Sequence, residues 1–118
     1  LLARLRGGAL WTKLRALAPH VVARELPVLI EPAGGDGPVG AGAGAIDLVY
    51  RDPADGALVV VDFKTDRIEG PRALEERVAQ HRPQGLAYRR AVARALAVEP
   101  PPRVELWFLD ADRVARLD

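Results

Sequence analysis

The sequence predicts an α/β layer of the α+β kind, with a small mixed sheet flanked by helices in the order helix, three strands, helix, strand. Three observations carry that expectation. Apolar residues recur at spacings of three to four in residues 1–17 and again in residues 72–98. Short β-branched runs lie between those segments, and an Asp-Gly turn joins two of them. A chain of 118 residues holds one compact domain.

Residues 1–17 read as the first helix, with Leu2, Leu5, Ala9, Leu10, Leu14 and Leu17 on one stripe. Gly7-Gly8 interrupts it at a cost of about 1 kcal/mol per glycine, and Pro19 ends it. Residues 21–30 read as a first strand, with its start as late as Ala23 and Glu25 near its middle. Residues 32–44 (PAGGDGPVGAGAG) read as a long loop with nothing large to bury. Residues 45–51 (AIDLVYR) form a second strand, 52–56 a turn, and 57–63 (ALVVVDF) a central strand buried on both faces. The two runs make an antiparallel hairpin. Residues 72–98 are helical, and Pro83 either separates two helices or kinks one. Pro100, Pro101 and Pro102 stop that element, and residues 103–110 (RVELWFLD) form the last strand.

Composition narrows the chemistry. The absence of cysteine excludes disulfides and cysteine-based zinc sites, and fits a reducing cytoplasm. No apolar run approaches the roughly 20 residues of a membrane helix. A net charge of +1 does not announce a general nucleic-acid binder, so any such role rests on where the charges lie. The chain contains no methionine, and we read it as a single domain from a longer polypeptide.

The hairpin carries the chemistry. Asp47 lies inside an apolar strand, and the next strand ends in Asp62-Phe63-Lys64. A carboxylate there is costly unless it is paired, hydrogen-bonded or bound to a cation, and two on neighbouring strands repel. Mg²⁺ or Mn²⁺ resolves both costs, because hard cations prefer carboxylate, carbonyl and water oxygens. Residues i and i+2 of a strand share a face, so Asp62 and Lys64 project together, Phe63 points into the opposite layer, and its backbone carbonyl is a further available oxygen. An amine beside a carboxylate-bound cation suits phosphodiester hydrolysis. Spacing also places Gln84 and Tyr88 on one helical face, continued by Arg77 and His81 if the helix is unbroken.

G-A-I-D at residues 44–47, V-V-V-D-F-K-T at 59–65, Gln84-x-x-x-Tyr88 and the leading Glu25 in R-E-L-P together resemble the PD-(D/E)XK nuclease superfamily. Within it they look most like the RecB-type branch at the C-terminus of bacterial recombination helicase–nucleases such as the AddA and RecB subunits. The resemblance implies a restriction-endonuclease-like core and a Mg²⁺- or Mn²⁺-dependent exodeoxyribonuclease acting on helicase-unwound DNA in recombinational repair. It implies Asp47 and Asp62 as metal ligands with the Phe63 carbonyl, Lys64 as catalytic, and Glu25, Gln84 and Tyr88 as residues bracing the site or contacting DNA. Two departures stand out. That branch carries a histidine ligand on an N-terminal helix, whereas His20 falls directly before the first strand, and Gly85 replaces a customary apolar residue.

Blander readings stand beside these. Asp47 alone reads equally well as an exposed edge aspartate, and Asp62 with Lys64 as a surface ion pair worth under about 1 kcal/mol. Glu25 is either part of the ligand shell or a partner for Arg24 or nearby backbone. Arg89, Arg90 and Arg94 form a solvated helix face or an electrostatic track for DNA. The alternative function is a catalytically silent nuclease-like module that binds DNA or a partner subunit.

Overall fold

A computed structural model describes residues 7–30 and 42–117. Helix α1 (Ala9–Leu17) passes through a 3₁₀ turn (Ala18–His20) into strand β1 (Val21–Ile30). Strands β2 (Gly42–Arg51) and β3 (Leu58–Lys64) follow, then helix α2 (Pro71–Leu96), β4 (Arg103–Phe108) and β5 (Arg113–Leu117). The strands form one sheet in sequence order. Strands β3 and β4 pair in parallel, with α2 as the crossover between them, and the other neighbours are antiparallel. This is the expected α+β architecture. No helix among the described residues is long and apolar enough to cross a membrane.

Two hydrophobic layers sandwich the sheet. Val59 and Val61 join Leu48, Tyr50 and Trp107 under Leu10, Leu14 and Leu17 of α1. Leu58 and Val60 join Val104, Leu106 and Phe108 under Tyr88 and Val92 of α2. Alternation along β3 therefore feeds both layers, which is why its sequence is continuously apolar.

The structure corrects several sequence expectations. A fifth strand follows the expected last one, which ends at Phe108. Its sequence, RVARL, is short, with two arginines among three apolar residues, and it is an edge strand whose pairing with β4 supplies the order. Helix α1 starts at Ala9, so Gly7-Gly8 does not interrupt it, while residues 1–6 lie outside the described residues. Its start is fixed from the far end of the chain: Ala9 and Leu10 N–H donate to the two Asp112 carboxylate oxygens at 2.7 and 2.9 Å. A Cβ on Gly8 would lie 2.6 Å from that carboxylate, which explains the glycine. Pro19 sits in the 3₁₀ turn, after the helix has closed.

Strand β1 begins at Val21, and β2 reaches back to Gly42 because Gly42, Ala43 and Gly44 pair with Ile30, Leu29 and Val28. The remainder of the expected loop, 32–41, lies outside the described residues. Helix α2 is a single element running through Pro83. An interior proline costs about 3 kcal/mol, whereas burying Tyr88 and Val92 contributes about 1.5–3 kcal/mol each. Both Pro83 and Ala79, whose carbonyl loses its partner, are exposed, so water can take the freed oxygen. At Gly85 α2 lies close against side chains of the sheet: a Cβ there would meet Leu117 Cδ1 at 2.5 Å and Val104 Cγ1 at 3.3 Å. A side chain there would have to displace the Leu117 side chain.

Candidate active site

The site lies where the hairpin opens. Ladder pairing between β2 and β3 runs from Arg51↔Leu58 to Leu48↔Val61, while β2 continues alongside β1 as far as Gly42. The next pair inward would have been Asp47 with Asp62. Instead the Asp47 carboxylate stands in for the lost ladder partner, and Phe63 N–H donates to its Oδ2 at 2.8 Å. The side chain thus satisfies a backbone donor that the departing strand no longer reaches.

A matched irregularity in β1 and β2 frames this fork. Ala23 packs toward α2, but beyond Glu25 the residues packing there are Leu26, Val28 and Ile30, so the alternation slips by one. Glu25 carries the slip in a left-handed conformation, φ +49°. On β2, Val49 and Ile46 both face the α2 layer, with the slip across Asp47. A strand of strict period two could not place all these residues on one side.

Asp62 is only 6 % exposed, the one buried charged residue among those described. Its Oδ2 lies 3.0 Å from Lys64 Nζ, so the two side chains share a face as their spacing requires. That contact is an ion pair without hydrogen-bond alignment, and Oδ2 has no hydrogen-bond partner. Lys64 directs its hydrogen bond to Gln84 Oε1 at 2.8 Å. Burial raises the Asp47 carboxyl above its ordinary range, and the adjacent Asp62 carboxylate adds to that, against the opposing pull of Phe63 N–H and Lys64. The expected pair of acids and the expected amine are therefore brought together. Phe63 turns its ring the other way, 5.8 Å from Trp107.

Helix α2 closes the site from above. Tyr88 is 5 % exposed. Burial raises its phenol, and the Asp62 and Asp47 carboxylates raise it further. Its ring rests on the backbone of β2: a Cβ on Gly44 would meet Tyr88 Cε1 and the hydroxyl oxygen at 3.1 Å, and Ile30 Cδ1 at 2.9 Å. Gly44 and Tyr88, distant in sequence, thus belong to one contact. Glu25 is exposed on β1, and among the described residues no group of three or more His, Cys, Asp or Glu gathers as a metal-ligand set. Glu25 does not join the Asp47–Asp62 pair. His20 ends the 3₁₀ turn at the start of β1.

Sequence reasoning missed Asp66. It follows Asp62 and Lys64 at the same spacing of two, and it accepts from α2: His81 Nε2 stands 3.1 Å from both its oxygens, and Arg77 Nε 3.6 Å from Oδ2. The i, i+4 spacing of Arg77 and His81 was legible, but the carboxylate they converge on was not.

The donor set fits a divalent cation. It offers hard carboxylate oxygens, one of them buried without a hydrogen bond, and two acids whose mutual repulsion a cation relieves. The model of the PD-(D/E)XK nuclease superfamily matches residues 3–117 of the chain. Comparison with curated proteins gives no match.

Proposed function

The chain belongs to the PD-(D/E)XK nuclease superfamily, and on that premise we propose that it is a Mg²⁺- or Mn²⁺-dependent deoxyribonuclease domain hydrolysing phosphodiester bonds at Asp47, Asp62 and Lys64. The observation that carries this reading is the buried Asp62 carboxylate, set beside a second acid and paired on Oδ2 by the Lys64 amine at 3.0 Å. Two acids buried side by side repel unless a cation compensates them, and one amine is shared between them.

Asp47 and Asp62 would hold the cation, with the Phe63 carbonyl as a third protein oxygen. Bound there, it would lower the pKa of a water and offset phosphate charge. Lys64 would orient the attacking water and stabilise charge developing on the phosphate as a compact, mobile cation. Gln84 keeps that amine directed away from full pairing with Asp62, leaving it available. Gln84 and Tyr88 would contact the DNA or brace the site, and Tyr88, buried against the backbone of β2, suits the bracing role. The likeness of the G-A-I-D, D-F-K-T and Gln84–Tyr88 pattern to the RecB-type branch supports an exonuclease joined to a DNA helicase, receiving unwound strands during recombinational repair.

A second reading has its own support. No third acidic or histidine ligand gathers with the pair among the described residues, which favours a silent DNA-binding or subunit-contact module. Single-stranded DNA with Mn²⁺ separates the two. Cutting by the native chain, slowed about a hundredfold or more in D62A and K64A, is the expected result; equal cutting by all three removes the assignment. A folded sample that gives no heat on calorimetric titration with Mn²⁺ supports the silent module.

A further inference from the structure

Three alternate residues leave the end of β3 on one side, Asp62, Lys64 and Asp66, and each meets α2 one step further toward the helix N-terminus. Asp62 lies near enough to Tyr88 for its charge to help raise the phenol. Lys64 reaches Gln84 through one hydrogen bond at the exposed rim. Asp66 meets both His81 and Arg77. A carboxylate only accepts, so His81 Nε2 carries the proton in this contact.

These three connections differ in strength. An exposed bond between long, flexible side chains does little to fix an element in place. The Asp66–His81 contact is better shielded, with side-chain exposures of 19 % and 17 %, and His81 is also held from behind by Phe108, ring centroids 6.3 Å apart. Between His81 and Gln84 stands Pro83, where the helix lacks one of its own backbone bonds. The turn that delivers Gln84 is thus anchored on its N-terminal side by Asp66.

We propose that Asp66 is a positioning residue for Lys64: by clamping Arg77 and His81 it sets α2 so that Gln84 can hold the amine in its reactive place. This inference rests on the nuclease reading above for its effect on rate, but its structural content stands apart from it.

The side-chain amide signal of Gln84 in ¹⁵N-labelled protein reports the Lys64 contact, with K64A as the reference for its loss. In D66A that signal is expected to move toward its K64A position. With Mn²⁺ and single-stranded DNA, kcat should fall about tenfold to a hundredfold while KM stays within about twofold. D66N, whose amide oxygen still accepts from His81, is expected to recover most of the rate. If D66A does not fold, the R77A/H81A double variant strips the clamp from the helix side and is judged by the same signal. An unmoved Gln84 signal overturns the inference, as does a D66A kcat within about twofold of the native value alongside an inactive K64A; either leaves the nuclease reading intact. A native chain that cuts no DNA overturns the nuclease reading instead, and the Gln84 signal alone then decides the clamp.

Discussion

The two ends of the β2–β3 hairpin use aspartates in opposite ways. At the closed end Asp52 and Asp55 share the Arg103 guanidinium, at 2.6 and 2.8 Å, and Asp55 also accepts from Ala57 N–H. The Ala57 N–H bond and then Arg103 hold the Asp55 carboxyl below its ordinary range. At the open end Asp47 is pushed above that range, chiefly by burial, and the buried Asp62 Oδ2 has no hydrogen bond. The same residue type thus closes a turn at one end and, at the other, forms a buried pair of acids beside a single lysine. A carboxylate held by donors steadies a turn, whereas a buried acid raised above its ordinary range beside a second acid is the kind of feature that gathers at functional sites.

The largest expected effect separates the two ends by activity. Asp47→Asn keeps an acceptor for Phe63 N–H but removes the repulsion with Asp62. Cleavage should fall about a hundredfold or more, while thermal unfolding shows the variant about 1 kcal/mol more stable than the native chain in chelator. A loss of stability instead would mean that Asp47 is structural, like its counterparts at the turn.

Next in size is the response to metal. Manganese at about a hundred times its dissociation constant should stabilise the native chain by about 2.7 kcal/mol, read as a rise in Tm. D62A should show almost none of this. A full shift in D62A would place the cation elsewhere.

At the closed end, Arg103→Ala should cost about 1 kcal/mol, since it breaks a forked contact to two carboxylates. Cleavage and manganese binding should stay within about twofold of native values. A variant that lost metal affinity would couple ends that the comparison holds separate.

The smallest effect is in pH. Because the folded-state pKa of Asp47 is raised, folding favours its protonated form, so its penalty is present at neutral pH and fades as pH falls through that pKa. Asp55 is depressed, so its stabilisation is complete above the ordinary aspartate value and is lost only as pH falls below it. In chelator, the Tm advantage of D47N over the native chain should therefore shrink on going from neutral pH toward the ordinary aspartate range. A constant difference would show that the carboxylates do not burden one another.

Much of this was legible in the residues alone. Period two put Asp62 and Lys64 on one face and Phe63 on the other, and the structure has them so. The i, i+4 spacing put Gln84 and Tyr88 on one face of α2, and the structure turns that face toward the site. Asp66 was overlooked because it stands in an irregular segment after β3, where no periodicity assigns a face. The strand β5 was overlooked because five residues are too few for an alternation to announce an edge strand.

The sequence by itself determined the hairpin, the helical character of residues 72–98 and which side chains those elements could aim together, because these follow from local periods of two and 3.6. Only the tertiary structure decided that the hairpin opens at Asp47, that Glu25 turns left-handed so two strands slip together, and that Asp112 starts a helix about a hundred residues earlier in the chain. It also decided that Asp62 would be buried without a hydrogen bond. Each depends on contacts between segments far apart in the chain, and desolvation is a property of the surroundings a residue ends up in, which no local pattern encodes.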